Sequence, residues 1–348
     1  MIDLTRALIE RGHELHLVIR PNAKLKSELA SLPITWHELP LRNAVDIFSA
    51  NKLKNIITRQ NIEIIHAHVA RDYTICGLAC KQTSAKLFLT RHHFNPLKSN
   101  FLYQWAINQT QGFIAVSSAV KAEIQPAFPN LTERISIIPN WIDGRLIASI
   151  PKEEARKSLG ITRKFAVGMI GQITPLKGQK YFLEAAQQTS RDDVDFLIIG
   201  APQTEPDKKY YQQLLNDYAG FIAQGSLRFT GAIPEIATLL AAFGIIVVPS
   251  INEGFSLVVI EAMAAGCAVI ASNVGGIIDL IENNKTGILA QPESFEQIAQ
   301  AVLQLLNNPE LRQRLGVQAR ATALEKYSRE SVLDQIENLY QKKSIDRI

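Results

Sequence analysis

Short apolar runs alternate with amphipathic stretches along nearly the whole chain. Residues 2–11 carry Ile2, Leu4, Leu8 and Ile9 at helical spacing, and Gly12 closes the stretch. Glu14–Ile19 follows as a strand. Further strands are expected at Ile62–His66, Lys86–Thr90, Gly112–Val116 and Ile135–Ile138. A second series runs Ala166–Ile170, Phe196–Ile199, Leu227–Thr230, Ile245–Pro249, Ala268–Ala271 and Gly287–Leu289. Several are continuous apolar runs, as expected of strands covered on both faces. Helical stretches separate most of them, which predicts parallel sheets flanked by helices.

Two such series in 348 residues predict two doubly wound α/β domains. Their boundary is expected within 144–164, where Pro151 opens a charged segment. The expected limits are 1–145 and 160–330, with a last helix in 331–348 packing back on the first domain. The opening departs from this plan. A doubly wound domain begins with a strand and a glycine-rich turn, whereas this chain begins in a helix. That predicts a first sheet lacking a central strand.

Charge is uneven. Residues 1–150 hold 17 Lys+Arg against 11 Asp+Glu, a net +6, and the remainder holds 20 against 22, a net −2. A basic first half suits an anionic acceptor or peripheral contact with an anionic membrane, and fits ordinary surface scatter equally well. No dense Lys/Arg run suggests nucleic acid. The longest apolar run, Leu239–Val248, has ten residues, where a membrane span needs about 20. The opening residues are too charged for a secretory leader. Cys76, Cys80 and Cys267 have no metal-type spacing and read as reduced core residues of a cytoplasmic protein.

The densest chemical signal runs from Pro249 to Gly276. An apolar strand ends at Pro249, a polar turn with Glu253 and Gly254 follows, and a helix starts near Ser256 or Leu257. Free N–H groups at that start form an anion site without a lysine. Glu261 lies eight residues beyond Glu253, amid Val258, Val259, Ile260, Ala262 and Met263, where an unpartnered carboxylate is costly. Two carboxylates flanking a phosphate-binding helix start suit a ligand with hydroxyls on both sides of a phosphate. A capped helix with two solvated glutamates is the plainer alternative.

This segment resembles the E-x7-E region of retaining glycosyltransferases of family 4, which have the GT-B fold. Ser256 for a common glycine and Ala268 for a common proline are mild departures. The resemblance spans essentially the whole chain and is strongest in 165–290. It implies two Rossmann-like doubly wound parallel-sheet domains facing across a cleft. It implies a nucleotide-diphosphate sugar donor as co-substrate, no metal or other cofactor, and a glycan or glycolipid acceptor, with lipopolysaccharide core a weak lean. Glu253 would contact donor sugar hydroxyls, and the amides of Phe255, Ser256 and Leu257 would hold sugar and phosphate. Glu261 would hold the ribose, Gly275 and Gly276 would shape the neighbouring loop, and backbone near Gly231 would contact the base.

In the segment Gly168–Gly178, Gly171, Gln172 and Lys177 match the family's diphosphate loop. Lys177 would neutralise the leaving group. Gln172 stands where arginine is usual, which loses a charge and a bidentate fork. Thr90-Arg91-His92 matches a T-x-H pattern whose histidine lies near the donor sugar, with His93 as the alternative. His66 and His68 would line the acceptor side. These histidines lack the carboxylates or cysteines of a metal site. Trp141 replaces a common glycine, Ser117 reads as a helix cap, and Asp193-Val-Asp195 precedes its strand and reads as loop charge. Catalysis is assigned to His92, Glu253 and Lys177. Two other readings stay open: a nucleotide-sugar-binding homologue with impaired catalysis, and a nucleotide-sugar epimerase.

Overall fold

The computed structural model describes residues 1–23, 25–94, 97 and 100–341. The chain divides into two units, Met1–Ile138 with the described residues from Leu333 onward, and Pro139–Val332. Each is built on parallel β-structure.

In the first unit β1 (Leu15–Ile19) pairs with β2 (Ile34–Glu38). A separate sheet has the order β3 (Ile64–Ala67), β4 (Lys86–Arg91), β5 (Gly112–Ala115), β6 (Ile135–Ile137). No ladder joins β1 to β3 among the described residues. The first element is the helix Ile2–Glu10, and the first sheet is in two pieces, as the helical opening predicts. The hydrophobic pattern did not reveal β2. Its residues ITWHE are half exposed, so no apolar face marks it.

The second unit holds β7 (Phe165–Ile170), β8 (Val194–Ile199), β9 (Leu227–Gly231), β10 (Ile245–Val248), β11 (Ala268–Ser272) and β12 (Ile288–Ala290). Their order is β12-β11-β10-β7-β8-β9. Every residue of β8, β10 and β11 is buried, which accounts for their mostly apolar sequences. The helix Phe295–Asn307 lays Ile298, Val302, Leu305 and Leu306 into this core.

The boundary differs from the expected 144–164. It falls at Ile138/Pro139, because the following segment is bonded into the second unit. The Ile142 N–H donates to the Tyr327 carbonyl at 2.9 Å, and Ala148 donates to Ala237 at 2.9 Å. Pro151 therefore starts a helix inside the unit rather than at its edge.

The last helix, Arg329–Gln341, crosses the boundary at Val332/Leu333, and residues 342–348 lie outside the described ones. From Leu333 it packs on the first unit. Arg11 bonds both Asp334 and Glu337 at 2.8 Å. Tyr340 reaches the His66 ring at 2.6 Å.

Gly178 links the two loops that will matter for chemistry. It is left-handed (φ +74°), and a Cβ there would stand 2.0 Å from the Pro249 carbonyl oxygen. Gly178→Ala should therefore lower stability by about 1–3 kcal/mol or more, read as a lower urea midpoint. An unchanged midpoint would mean that the two loops can part at little cost.

Candidate active site

In the second unit the strand order reverses at β7, with β8 and β9 on one side and β10 to β12 on the other. Right-handed crossovers from β7 and β10 then leave on opposite faces, which opens a crevice at their carboxyl ends. The segment Gly171–Gly178 leaves β7 there, and Pro249–Ser256 leaves β10.

These loops bring together side chains 76 residues apart: Lys177 Nζ donates to Glu253 Oε2 at 2.6 Å. Ser250 Oγ donates to the same oxygen at 3.2 Å. The backbone of Glu253 is also fixed. The Gly276 N–H donates to its carbonyl at 2.9 Å. Gly275 (φ +49°) approaches so closely that a Cβ would stand 2.0 Å from that oxygen. The Gly-Gly pair thus shapes the turn carrying Glu253 and Gly254.

The helix Leu257–Ala264 starts at the end of this turn. Ser256 is its N-cap but makes no hydroxyl cap. The N–H groups of Phe255, Ser256 and Leu257 meet no acceptor among the described residues. Free N–H groups with the helix dipole behind them attract an anion.

Glu261 lies one turn inside that helix. Burial pushes its carboxyl up to about 7. No described residue offers it a hydrogen bond or an ion pair.

Gln172 is placed differently from the other candidates. Its Nε2 donates to Asp207 Oδ2 at 3.0 Å, and its carbonyl accepts from Gln179 at 2.8 Å. Asp207 belongs to a capping box with Thr204, and hydrogen bonds, foremost from Thr204, hold its carboxyl below the usual range. Gln172 is a loop tie engaged by Asp207, not a partner of the Lys177–Glu253 pair. Gly231 ends β9 (φ +76°) and accepts from the Gly200 N–H at 2.9 Å.

The first unit gathers His66, His68, His92 and His93 at the carboxyl ends of β3 and β4. His66 stands between Thr90 Oγ1 and the Tyr340 hydroxyl, 2.6 Å from each. Both ring nitrogens are taken, so His66 fastens the last helix to the sheet and has no nitrogen left for an acceptor. His68 Nδ1 lies 3.3 Å from His92 Nε2. Burial, then nearby positive charge, lowers His92 to about 4 and His66 to about 3, with His68 also well below its usual value. All three are neutral at pH 7. His93 is exposed. Sequence reasoning missed Thr90, Tyr340 and Asp207 as partners, since pairs 24, 274 and 35 residues apart leave no local pattern. Among the described residues no three His, Cys, Asp or Glu side chains are grouped to hold a metal ion.

Residues 151–322 match the family described as glycosyl transferases group 1, and residues 1–145 match glycosyltransferase family 4. The chain belongs to these group 1, family 4 glycosyltransferases. This glycosyltransferase is 27% identical over 357 residues to N-acetyl-alpha-D-glucosaminyl L-malate synthase of Bacillus anthracis, covering 97% of this chain and 91% of that one. It is 30% identical over 232 residues to lipopolysaccharide 1,2-N-acetylglucosaminetransferase of Salmonella typhimurium, covering 64% and 60%. Its fold matches that of Anabaena HepE, solved with UDP, at a TM-score of 0.85 and 19% identity, covering 97% and 95%. That likeness fixes the fold as two parallel-sheet α/β domains of the GT-B kind.

Other marked positions of the glycosyltransferase are structural. Ser117 caps the helix Ser118–Ile124, accepting from the Val120 N–H at 3.2 Å. Trp141 has no positive φ, so this backbone does not take the glycine turn. Asp195 is not solvated loop charge, as its sequence context suggested. It is 1% exposed within β8 and accepts from the Thr162 and Arg163 N–H groups at 2.9 and 3.0 Å. Among the described residues no helix is long and apolar enough to cross a membrane.

The Glu261 carboxyl is raised from 4.5 to about 7 by folding. The folded protein thus holds a proton that the unfolded chain releases, and stability falls as pH rises through that window. Glu261→Gln should match the parent's unfolding free energy, read from urea titration, at pH 4.5 and exceed it at pH 8 by about 1–3 kcal/mol. A difference independent of pH would show that Glu261 is solvated.

Proposed function

We propose that the enzyme moves a hexose from a nucleoside-diphosphate sugar to a glycan or glycolipid, with retention at the anomeric carbon. The observation that carries this is Glu261, a half-buried carboxyl without a protein partner, one turn beyond three unsatisfied N–H groups. A ribose diol supplies donors to the carboxylate, and the diphosphate supplies acceptors to the amides.

In this reading Glu253 accepts hydroxyls of the donor sugar, and Lys177 neutralises the charge that grows on the departing diphosphate. The acceptor hydroxyl attacks the sugar from the face the diphosphate leaves. The old C1–O bond breaks, the new one forms, and a phosphate oxygen takes the acceptor proton. Lys177 and the helix start supply the positive field, so no metal is required. The first unit binds the acceptor and contributes His92, a neutral imidazole, to catalysis. The basic first half and the Salmonella relative favour a glycolipid of the lipopolysaccharide-core kind, met at an anionic membrane face. UDP, the ligand of HepE, is the first nucleotide to try.

Calorimetry with UDP, GDP and ADP should find one that binds, and Glu261→Ala should weaken it by about 1–3 kcal/mol. Unchanged affinity would remove Glu261 from the site, and no binding of any nucleotide would overturn the reading. His92→Ala should leave that affinity in place while slowing transfer about 10²-fold or more. Lys177→Ala should lower turnover about 10²–10³-fold.

A further inference from the structure

In the first unit the helices Ile47–Arg59, Tyr73–Cys80 and Phe101–Asn108 pack side by side. Their amino ends frame a cavity of about 350 Å³. Ala44, Val45, Ala70 and Leu102 give it carbon walls, and Thr74 and Arg91 are its most buried polar members.

Two observations mark it as a binding site. Thr74 is 1% exposed, and its hydroxyl has no hydrogen-bond partner among the described residues. A helical threonine can bond back to the preceding turn, and leaving its hydroxyl buried and unpaired costs about 1–3 kcal/mol. Arg91, 9% exposed, ends β4 and brings its charge close to the hydroxyls of Tyr73 and Tyr103. Those phenols are engaged by the carbonyls of Thr90 (2.6 Å) and Ala70 (2.5 Å). Arg71 also lines the cavity and pairs with Asp72 at 3.3 Å.

The rim adds a third element. Val45 is 53% exposed, and Ile47, Phe48 and Val69 stand in solvent at the starts of their helices. Phe101 is 84% exposed at the start of the third. Exposed apolar side chains on the segments that line a cavity with a cationic wall match a ligand that is anionic at one end and hydrocarbon at the other.

We infer that this cavity receives the anionic group of an amphiphilic acceptor, a phosphate or carboxylate on Arg91 and Thr74, with its hydrocarbon against Val45, Leu102 and the rim. The inference rests on the acceptor role of the first unit and gives that acceptor a chemical class.

The test uses the full chain and n-octyl phosphate below its micelle concentration, with inorganic phosphate and n-octanol as the two halves of the probe. Octyl phosphate should bind at least tenfold more tightly than either half. Arg91→Gln should weaken it at least tenfold, Arg91→Lys should restore part of the loss, and Thr74→Val should weaken it severalfold. Val45→Glu changes an exposed wall residue without touching the core, and should also weaken binding about tenfold. Inorganic phosphate binding as tightly as octyl phosphate would reduce the cavity to a simple anion site and overturn the inference. So would equal octyl phosphate affinity in Arg91→Gln and Val45→Glu. Nucleotide binding, read in the same samples, decides the transferase reading separately.

Discussion

The chemistry of the second unit depends on hydrogen bonds that the helix start at Leu257 cannot make within the chain. The sheet is covered on both faces, so any polar ligand must be met where strands end. At the reversal beside β7 two chain segments leave in opposite directions, and a helix begins with its amides uncapped. Placing Lys177, Glu253 and Glu261 there needs no further device than the approach of Gly178 to Pro249 and of Gly275 to Glu253. Those contacts make a rigid frame from loops that would otherwise be mobile in sequence terms.

Much of that frame could be read before the fold was known, because its signals are local. An apolar run ending in proline, a polar turn and a new apolar run place Glu253 and Glu261 relative to one strand and one helix. The same holds for Lys177 after β7. What could not be read depends on distant partners. Gln172 stood out as a substitution in a charged loop, but only the fold shows its amide turned to Asp207. His66 belonged to a conspicuous H-x-H group, yet its role is set by Tyr340 near the chain's other end. The strand β2 escaped because it lies half exposed, and the domain boundary because Ile142 and Ala148 are held by long-range backbone bonds.

The first unit shows the opposite balance. Its sheet is in two pieces, and its last helix comes from the far end of the sequence. Burial keeps His66, His68 and His92 neutral, so they offer hydrogen bonds rather than charge.

Glu261 gives the proposed donor site a proton inventory. A carboxyl near 7 is shared between its two forms at neutral pH. A ribose diol that donates two hydrogen bonds asks for the carboxylate, so in the proposed reading nucleotide binding would expel a fraction of a proton into the buffer. The heat of binding then carries the ionisation enthalpy of whichever buffer takes that proton. Affinity for nucleotide becomes a quantity that the acidity of the surroundings sets along with concentration.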